Sequence, residues 1–169
     1  MHRLILMRHA KAERDAPTGR DRDRPLSAGG RSDAALMGRA LRERGLRPDL
    51  ALISSAARTR ETWEVMEDAF GDVEVRLEPD LYNADAHELR RFVEAEEDTA
   101  GCLILVAHNP GVHELAVQLL TESAASPSVL DKLSSGFPTG AAAVFTVDPA
   151  GRCAYDGFFT PKAFGGGED

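Results

Sequence analysis

The chain has 169 residues, of which 43% are hydrophobic, 28% charged and 6% aromatic, a balance that excludes disordered, collagen-like and coiled-coil classes. One domain covering residues 1–169 is the expectation at this length, and no internal repeat is visible. The net charge of −8 argues against a protein that lives by non-specific nucleic-acid binding.

That net figure hides an asymmetry. Residues 1–60 carry 14 Lys and Arg against 7 Asp and Glu, whereas residues 61–169 carry 6 against 21. Basic charge crowded into one third of an acidic chain points to a site for an anion.

In chain order, Leu4-Ile5-Leu6-Met7 is a short continuous apolar run, as in a strand buried on both faces, and it ends at Arg8-His9. Charges and turn formers dominate Lys11 to Arg24, which reads as a surface loop. Ser27 is placed to cap a helix that Gly45 ends. Pro48-Asp49 breaks the chain before a second apolar run, Leu50 to Ile53, which Ser54-Ser55 follows. Trp63, Met66 and Phe70 then share one helical face, closed by Gly71. Val73 to Leu77 alternates like a strand, and Asp85 to Glu97 has helical spacing with Leu89, Phe92 and Val93 inward.

Leu103 to Val106 is the third strong buried strand, and Gly111 to Leu120 is helical. Ser123 to Gly140, rich in Ser, Pro and Gly, reads as an irregular loop, with Phe137 to Thr139 placed to border a site. Ala142–Val147 and Cys153–Phe159 form a hairpin about the turn Asp148-Pro149-Ala150-Gly151, and Gly165 to Gly167 mark a frayed tail. Strands alternating with helices predict an α/β domain, a three-layer α/β/α sandwich on a largely parallel sheet.

No run approaches the ~20 apolar residues of a membrane span, and no signal-peptide core opens the chain. Cys102 and Cys153 are too few for a disulfide framework. The expectation is a cytoplasmic protein without membrane or nucleic-acid partners.

In such sheets the ligand crevice lies beyond the carboxyl ends of the strands. Arg8 and His9 follow the first strand, Ser54, Ser55 and Arg58 the second, and His108 and Asn109 the third. An isolated Arg-His pair means little; two arginines and two histidines at three strand ends suit a phosphoryl group. Arg presents a rigid fork of donors to phosphoryl oxygens. Arg58 is expected in the first helical turn, where free N–H groups add positive character.

These segments resemble the histidine phosphatase superfamily, the phosphoglycerate mutase-like fold. Met7-Arg8-His9-Ala10 is similar to its Arg-His-Gly signature, and Arg24-Pro25-Leu26-Ser27 with Gly30 to its R-P-L-[ST]-x-x-G segment. Ser54 to Thr62 resembles S-x-x-x-R-x-x-x-T, and Val106 to Gly111 the second-histidine motif. The H-N-P-G-V form and the short chain look most like the SixA-type phosphohistidine phosphatases. The similarity runs from Leu4 to about Leu120.

The resemblance implies that His9 is the nucleophile, forming a phosphohistidine intermediate that water hydrolyses. Arg8 and Arg58 would clamp the phosphoryl oxygens, Asn109 would join in binding substrate, and His108, if protonated, would be a further donor. It implies no metal and no cofactor. His108 and His113 are five apart, the wrong spacing for two ligands on one helical face, and His2, His87 and His113 read as surface or structural residues.

The chain departs from the pattern at Ala10, which stands where the signature has Gly, and at the general acid. In the stretch Leu81 to Glu88, Asp85 is the candidate acid and Glu88 a second, but neither matches the mutase branch well; Asn109 cannot serve as an acid. Acid help is typically worth 10²–10⁴-fold where an alkoxide leaves. A phosphoramidate needs it less, so phosphohistidine on a signalling protein is the expected substrate. A small-molecule phosphoester phosphatase on the same site is the alternative. A module that binds a phosphorylated partner without turnover is a weaker one, since binding alone needs no nucleophile.

Overall fold

The computed structural model describes residues 1–167. Strands β1 (Arg3–Arg8), β2 (Leu50–Ser54), β3 (Glu74–Glu78) and β4 (Cys102–Ala107) are mutually parallel, and β5 (Ala142–Val147) and β6 (Cys153–Phe159) join them antiparallel. Across the sheet the order is β3-β2-β4-β1-β5-β6. The runs within β1, β2 and β4 are apolar without a break because both faces are covered.

Alternation along the strands divides the core in two. Leu4, Leu6, Leu50, Leu52, Leu103 and Leu105 face one way and pack with α3 (Ala86–Glu94), α4 (Gly111–Glu122) and α5 (Pro127–Ser134). Ile5, Met7, Ala51, Ile53, Ile104 and Val106 face the other way and pack with α1 (Ala28–Glu43) and α2 (Ala57–Met66). This is the three-layer sandwich that the alternation of elements predicts.

Local chemistry fixes the helix that frames the first loop. Ser27 caps α1, its Oγ accepting from the Gly30 N–H at 3.0 Å. A methyl group on Gly30 would lie 2.0 Å from the Lys11 carbonyl oxygen. The glycine of the R-P-L-S-x-x-G segment thus lets the chain leaving the first strand lie directly on the helix.

Two local expectations are corrected. The Ser123 to Gly140 stretch is not wholly irregular, since α5 lies inside it. Ser126 and Pro127 suit a helix start, and Leu133 is fully buried while Val129 and Leu130 pack against the core. Burying one leucine stabilises by about 1.5–3 kcal/mol, which outweighs the turn-forming composition. The glycine tail is tied down through Gly167: the Gly167 N–H donates to Asp33 at 3.0 Å, and the Gly166 N–H to the Pro161 carbonyl at 2.8 Å. In β3 the alternating apolar positions Val75 and Leu77 stay 39% and 52% exposed, because β3 is an edge strand.

Among the described residues no helix is long and apolar enough to cross a membrane.

Candidate active site

Strands β2, β4 and β1 are adjacent and parallel, so the residues after their carboxyl ends meet. His9 follows β1 directly. Its N–H donates to the Ala107 carbonyl at the end of β4 (3.2 Å), and its carbonyl accepts from the Gly140 N–H (2.8 Å). The ring is as firmly held: Nδ1 is 2.7 Å from the Ala10 carbonyl, and Nε2 accepts from Arg58 Nε at 3.3 Å. The proton is therefore on Nδ1 and the lone pair on Nε2. The ring is 7% exposed. Burial pushes its pKa down to about 3, helped by His108, Arg58 and Arg8 and opposed by the Ala10 hydrogen bond. At neutral pH this is an uncharged imidazole with an available lone pair.

Arg58 lies in the first turn of α2, as its spacing predicts. Threonines fix that turn. Thr59 Oγ1 donates to the carbonyls of Ser54 (2.6 Å) and Ala56 (2.8 Å). Thr62 Oγ1 donates to the Arg58 carbonyl at 2.7 Å and accepts from the Ala10 N–H at 3.0 Å, tying the end of β1 to α2. Arg8 reaches the Phe137 carbonyl with Nη1 at 3.1 Å. Burial, then the nearby charge of Arg58, lowers the Arg8 pKa.

His108 follows β4. Its Nε2 is 2.7 Å from Ser54 Oγ, and its ring centroid is 5.3 Å from that of His9. Burial first, then the charge of Arg58, lowers its pKa to about 4. In the ligand-free protein the ring is therefore neutral at pH 7 and donates through one nitrogen only. Three buried polar atoms here, Arg8 Nε, His108 Nδ1 and Asn109 Oδ1, have no hydrogen-bond partner. Two of them are nitrogens, and an anion can complete such donors.

The other expected residues are placed differently. Asn109 donates from Nδ2 to the Phe137 carbonyl at 3.0 Å, bracing the turn on the same oxygen that Arg8 reaches. Asp85 caps α3, accepting from the Glu88 N–H at 2.8 Å in a reciprocal capping box. Both carboxylates proposed as acids thus have a structural task. His113 holds the Leu133 carbonyl at 2.6 Å, and His2 and His87 are exposed.

Two contributors escape the sequence reading. Asp21, in a 3-10 turn of the Lys11–Arg24 loop, takes Arg58 Nη1 on its carbonyl (3.0 Å) and Nη2 on its carboxylate (3.2 Å). The hydrogen bond from Tyr82, with the charges of Arg58 and Arg24, holds the Asp21 carboxyl below the ordinary range. Tyr82 stands edge-on to His108 with centroids 5.6 Å apart. Asp21 has no signal among alternating Arg and Asp residues. Tyr82 lies in the stretch searched for an acid, where attention falls on carboxylates.

Two buried neutral histidines have a thermodynamic consequence. Between about pH 3 and 6.5 the unfolded chain takes up protons at His9 that the folded protein refuses, so stability falls as pH drops through that window. From pH 7 to pH 5 each of His9 and His108 should cost about 2 kcal/mol, a window in which ordinary carboxylates stay mostly ionised. Urea unfolding checks this, and His9→Asn should show roughly half the acid sensitivity.

Among the described residues no group of three or more His, Cys, Asp and Glu side chains could hold a metal ion. The arrangement offers a neutral nucleophilic nitrogen beside two guanidinium groups and a second imidazole. That combination can bind a phosphoryl group and accept it on nitrogen.

Comparison with known proteins agrees with this chemistry. A family model described as "Histidine phosphatase superfamily (branch 1)" matches residues 4–117. An uncharacterised chloroplastic protein of Arabidopsis thaliana is 31% identical over 95% of this chain and 78% of its own length. An uncharacterised protein of Mycobacterium tuberculosis is 32% identical over 92% of this chain and its whole length. Among solved structures, a candidate phosphohistidine phosphatase SixA from Agrobacterium tumefaciens is 31% identical with a TM-score of 0.82, covering 95% of this chain and 99% of that one. A protein histidine phosphatase SixA in complex with tungstate shares the fold, with a TM-score of 0.79 at 23% identity over 95% and 98% of the two chains. With the matched segment covering every strand-end residue of the cleft, the chain belongs to the histidine phosphatase superfamily and is a hydrolase of that family.

Proposed function

We propose that this protein removes phosphoryl groups through a covalent phosphohistidine at His9, and that its substrate is phosphohistidine on a protein. The observation that carries the mechanism is the His9 ring: Nδ1 faces the Ala10 carbonyl and Nε2 accepts from Arg58. The Nε2 lone pair attacks phosphorus, the Nε2–P bond forms and the bond to the leaving group breaks. Arg8 and Arg58 stabilise the phosphoryl oxygens as charge spreads over them. Water then cleaves the Nε2–P bond, releasing orthophosphate and restoring the imidazole.

The leaving group is argued from the carboxylates. Asp85 is engaged as a helix cap, and Asp21 is bound to Arg58 and Tyr82 with its pKa lowered. Asp21 is thereby held as a carboxylate, and Asp85 is occupied by its cap. An alkoxide would leave without acid help, whereas a phosphoramidate protonated on its ring departs as neutral imidazole. The likeness to the Agrobacterium protein, named for phosphohistidine, supports the same substrate class.

A panel of a phosphohistidine protein, phosphoramidate and alkyl phosphoesters tests this. Turnover of the P–N substrates should exceed that of the alkyl esters by about 100-fold or more in kcat/KM, the share an absent general acid leaves unrecovered. Efficient hydrolysis of alkyl esters with the phosphohistidine protein left intact would overturn the substrate assignment.

A further inference from the structure

We infer that Ser54 is a positioning residue that selects the tautomer of His108: its hydroxyl donates to Nε2, so the ring proton stays on Nδ1 and is offered to the phosphoryl group at His9. This deepens the reading of His9 as nucleophile and, for its catalytic consequence, rests on it.

Ser54 and His108 meet in a closed space where donors and acceptors must pair with each other. Ser54 ends β2 and is fully buried, and His108, just beyond β4, is 9% exposed. Ser54 Oγ and His108 Nε2 are 2.7 Å apart, and His108 is the only side-chain or backbone partner of that hydroxyl among the described residues. His108 Nδ1 is buried without a partner. A neutral imidazole has one N–H and one bare nitrogen, and a hydroxyl can rotate to serve either.

If Nε2 carried the proton and donated to Ser54, the serine proton would have no acceptor and Nδ1 would be an unpaired acceptor as well. If Ser54 donates to Nε2, the serine proton is used, and what is left over is the Nδ1–H and the serine lone pairs. Phosphoryl oxygen can complete an Nδ1–H and cannot complete an Nδ1 lone pair, so an anion at the site favours the second arrangement. The leftover donor is the type of group that phosphoryl oxygen completes. An Nδ1 lone pair would instead repel that oxygen, so the serine decides whether the second histidine helps or opposes the reaction.

The obvious structural role, filling space at the end of β2, predicts none of this. An alanine there keeps Cβ and removes only the hydroxyl. The test therefore reads the tautomer itself, by two-bond 1H–15N correlation of the histidine rings in uniformly labelled protein at neutral pH. Wild-type His108 should show a protonated Nδ1 and a bare Nε2, and inorganic phosphate should shift the Nδ1 signal. In Ser54→Ala, with the amide spectrum otherwise unchanged, the ring should become a mixture of tautomers. Its kcat should fall about tenfold to a hundredfold, with KM changed less than about threefold, because the lost donor acts mainly in the transition state.

A wild-type His108 protonated on Nε2 would overturn the inference, and that measurement needs no variant to fold. So would a folded Ser54→Ala protein with unchanged His108 signals. The tautomer result is independent of turnover: if it holds while no phosphoryl substrate is hydrolysed, the proposed function fails and the positioning role of Ser54 stands.

Discussion

His9→Ala should lower kcat by about 10⁴–10⁶-fold, the scale on which loss of a covalent nucleophile is felt. No neighbour can replace it. His108 is also neutral and buried, but its Nε2 is taken by Ser54, and its ring centroid lies 5.3 Å away. Arg8 and Arg58 stay in place, so binding of inorganic phosphate should change by less than about tenfold while turnover disappears. Two measurements separate the outcomes. Wild type given a phosphodonor should carry a label that is labile to acid and stable to base, and the variant should carry none. A variant with a tenth of wild-type turnover would sink the covalent route.

Arg58→Ala should reduce kcat/KM by about 10³-fold, the range seen when an arginine that stabilises a transferring phosphoryl group is lost. Three features make the site intolerant of its removal. The guanidinium lies against Nε2 of His9, it is 7% exposed, and it begins a helix whose free N–H groups reinforce its charge. Lysine should restore less than about tenfold of the loss, since a point charge cannot reproduce the fork of donors. The same substitution releases Asp21, which rests on Arg58 through both its carbonyl and its carboxylate. Faster hydrogen exchange in the Asp21–Asp23 turn should accompany the kinetic loss. Arg58→Ala activity within tenfold of wild type would remove Arg58 from the chemistry.

The parts of the fold that could be read in the sequence are those where one physical rule acts alone. Leu4 to Met7, Leu50 to Ile53 and Leu103 to Val106 are apolar on both faces because helices cover both faces, and they announce a parallel sheet. Ser27 and Gly45 mark the ends of α1, and the former caps it as expected. That Arg8, His9, Arg58 and His108 meet could be expected because residues following neighbouring parallel strands share one end of the sheet. What stayed hidden depends on contacts across the chain. Helix α5 exists because Leu133 finds a buried place, which its Ser- and Pro-rich neighbourhood does not reveal. Asp85 can equally be an acid or a cap by type and position, and the hydrogen bond to Glu88 decides. Asp21 is one of several charges in a loop until its partner, 37 residues away, is known.

The strand order carries a last consequence, for how activity arises during folding. Neighbours β1 and β4 lie about a hundred residues apart in the chain, and β2 joins β4 with β3 lying outside it. His9 is fastened to Ala107 and Ser54 to His108, so His9, Arg58 and His108 come together only once these distant strands have paired. Such non-local pairing is slow and late compared with helix formation. Recovery of the proposed activity should therefore report completion of the central sheet, and a half-molecule cut between β2 and β4 should have none.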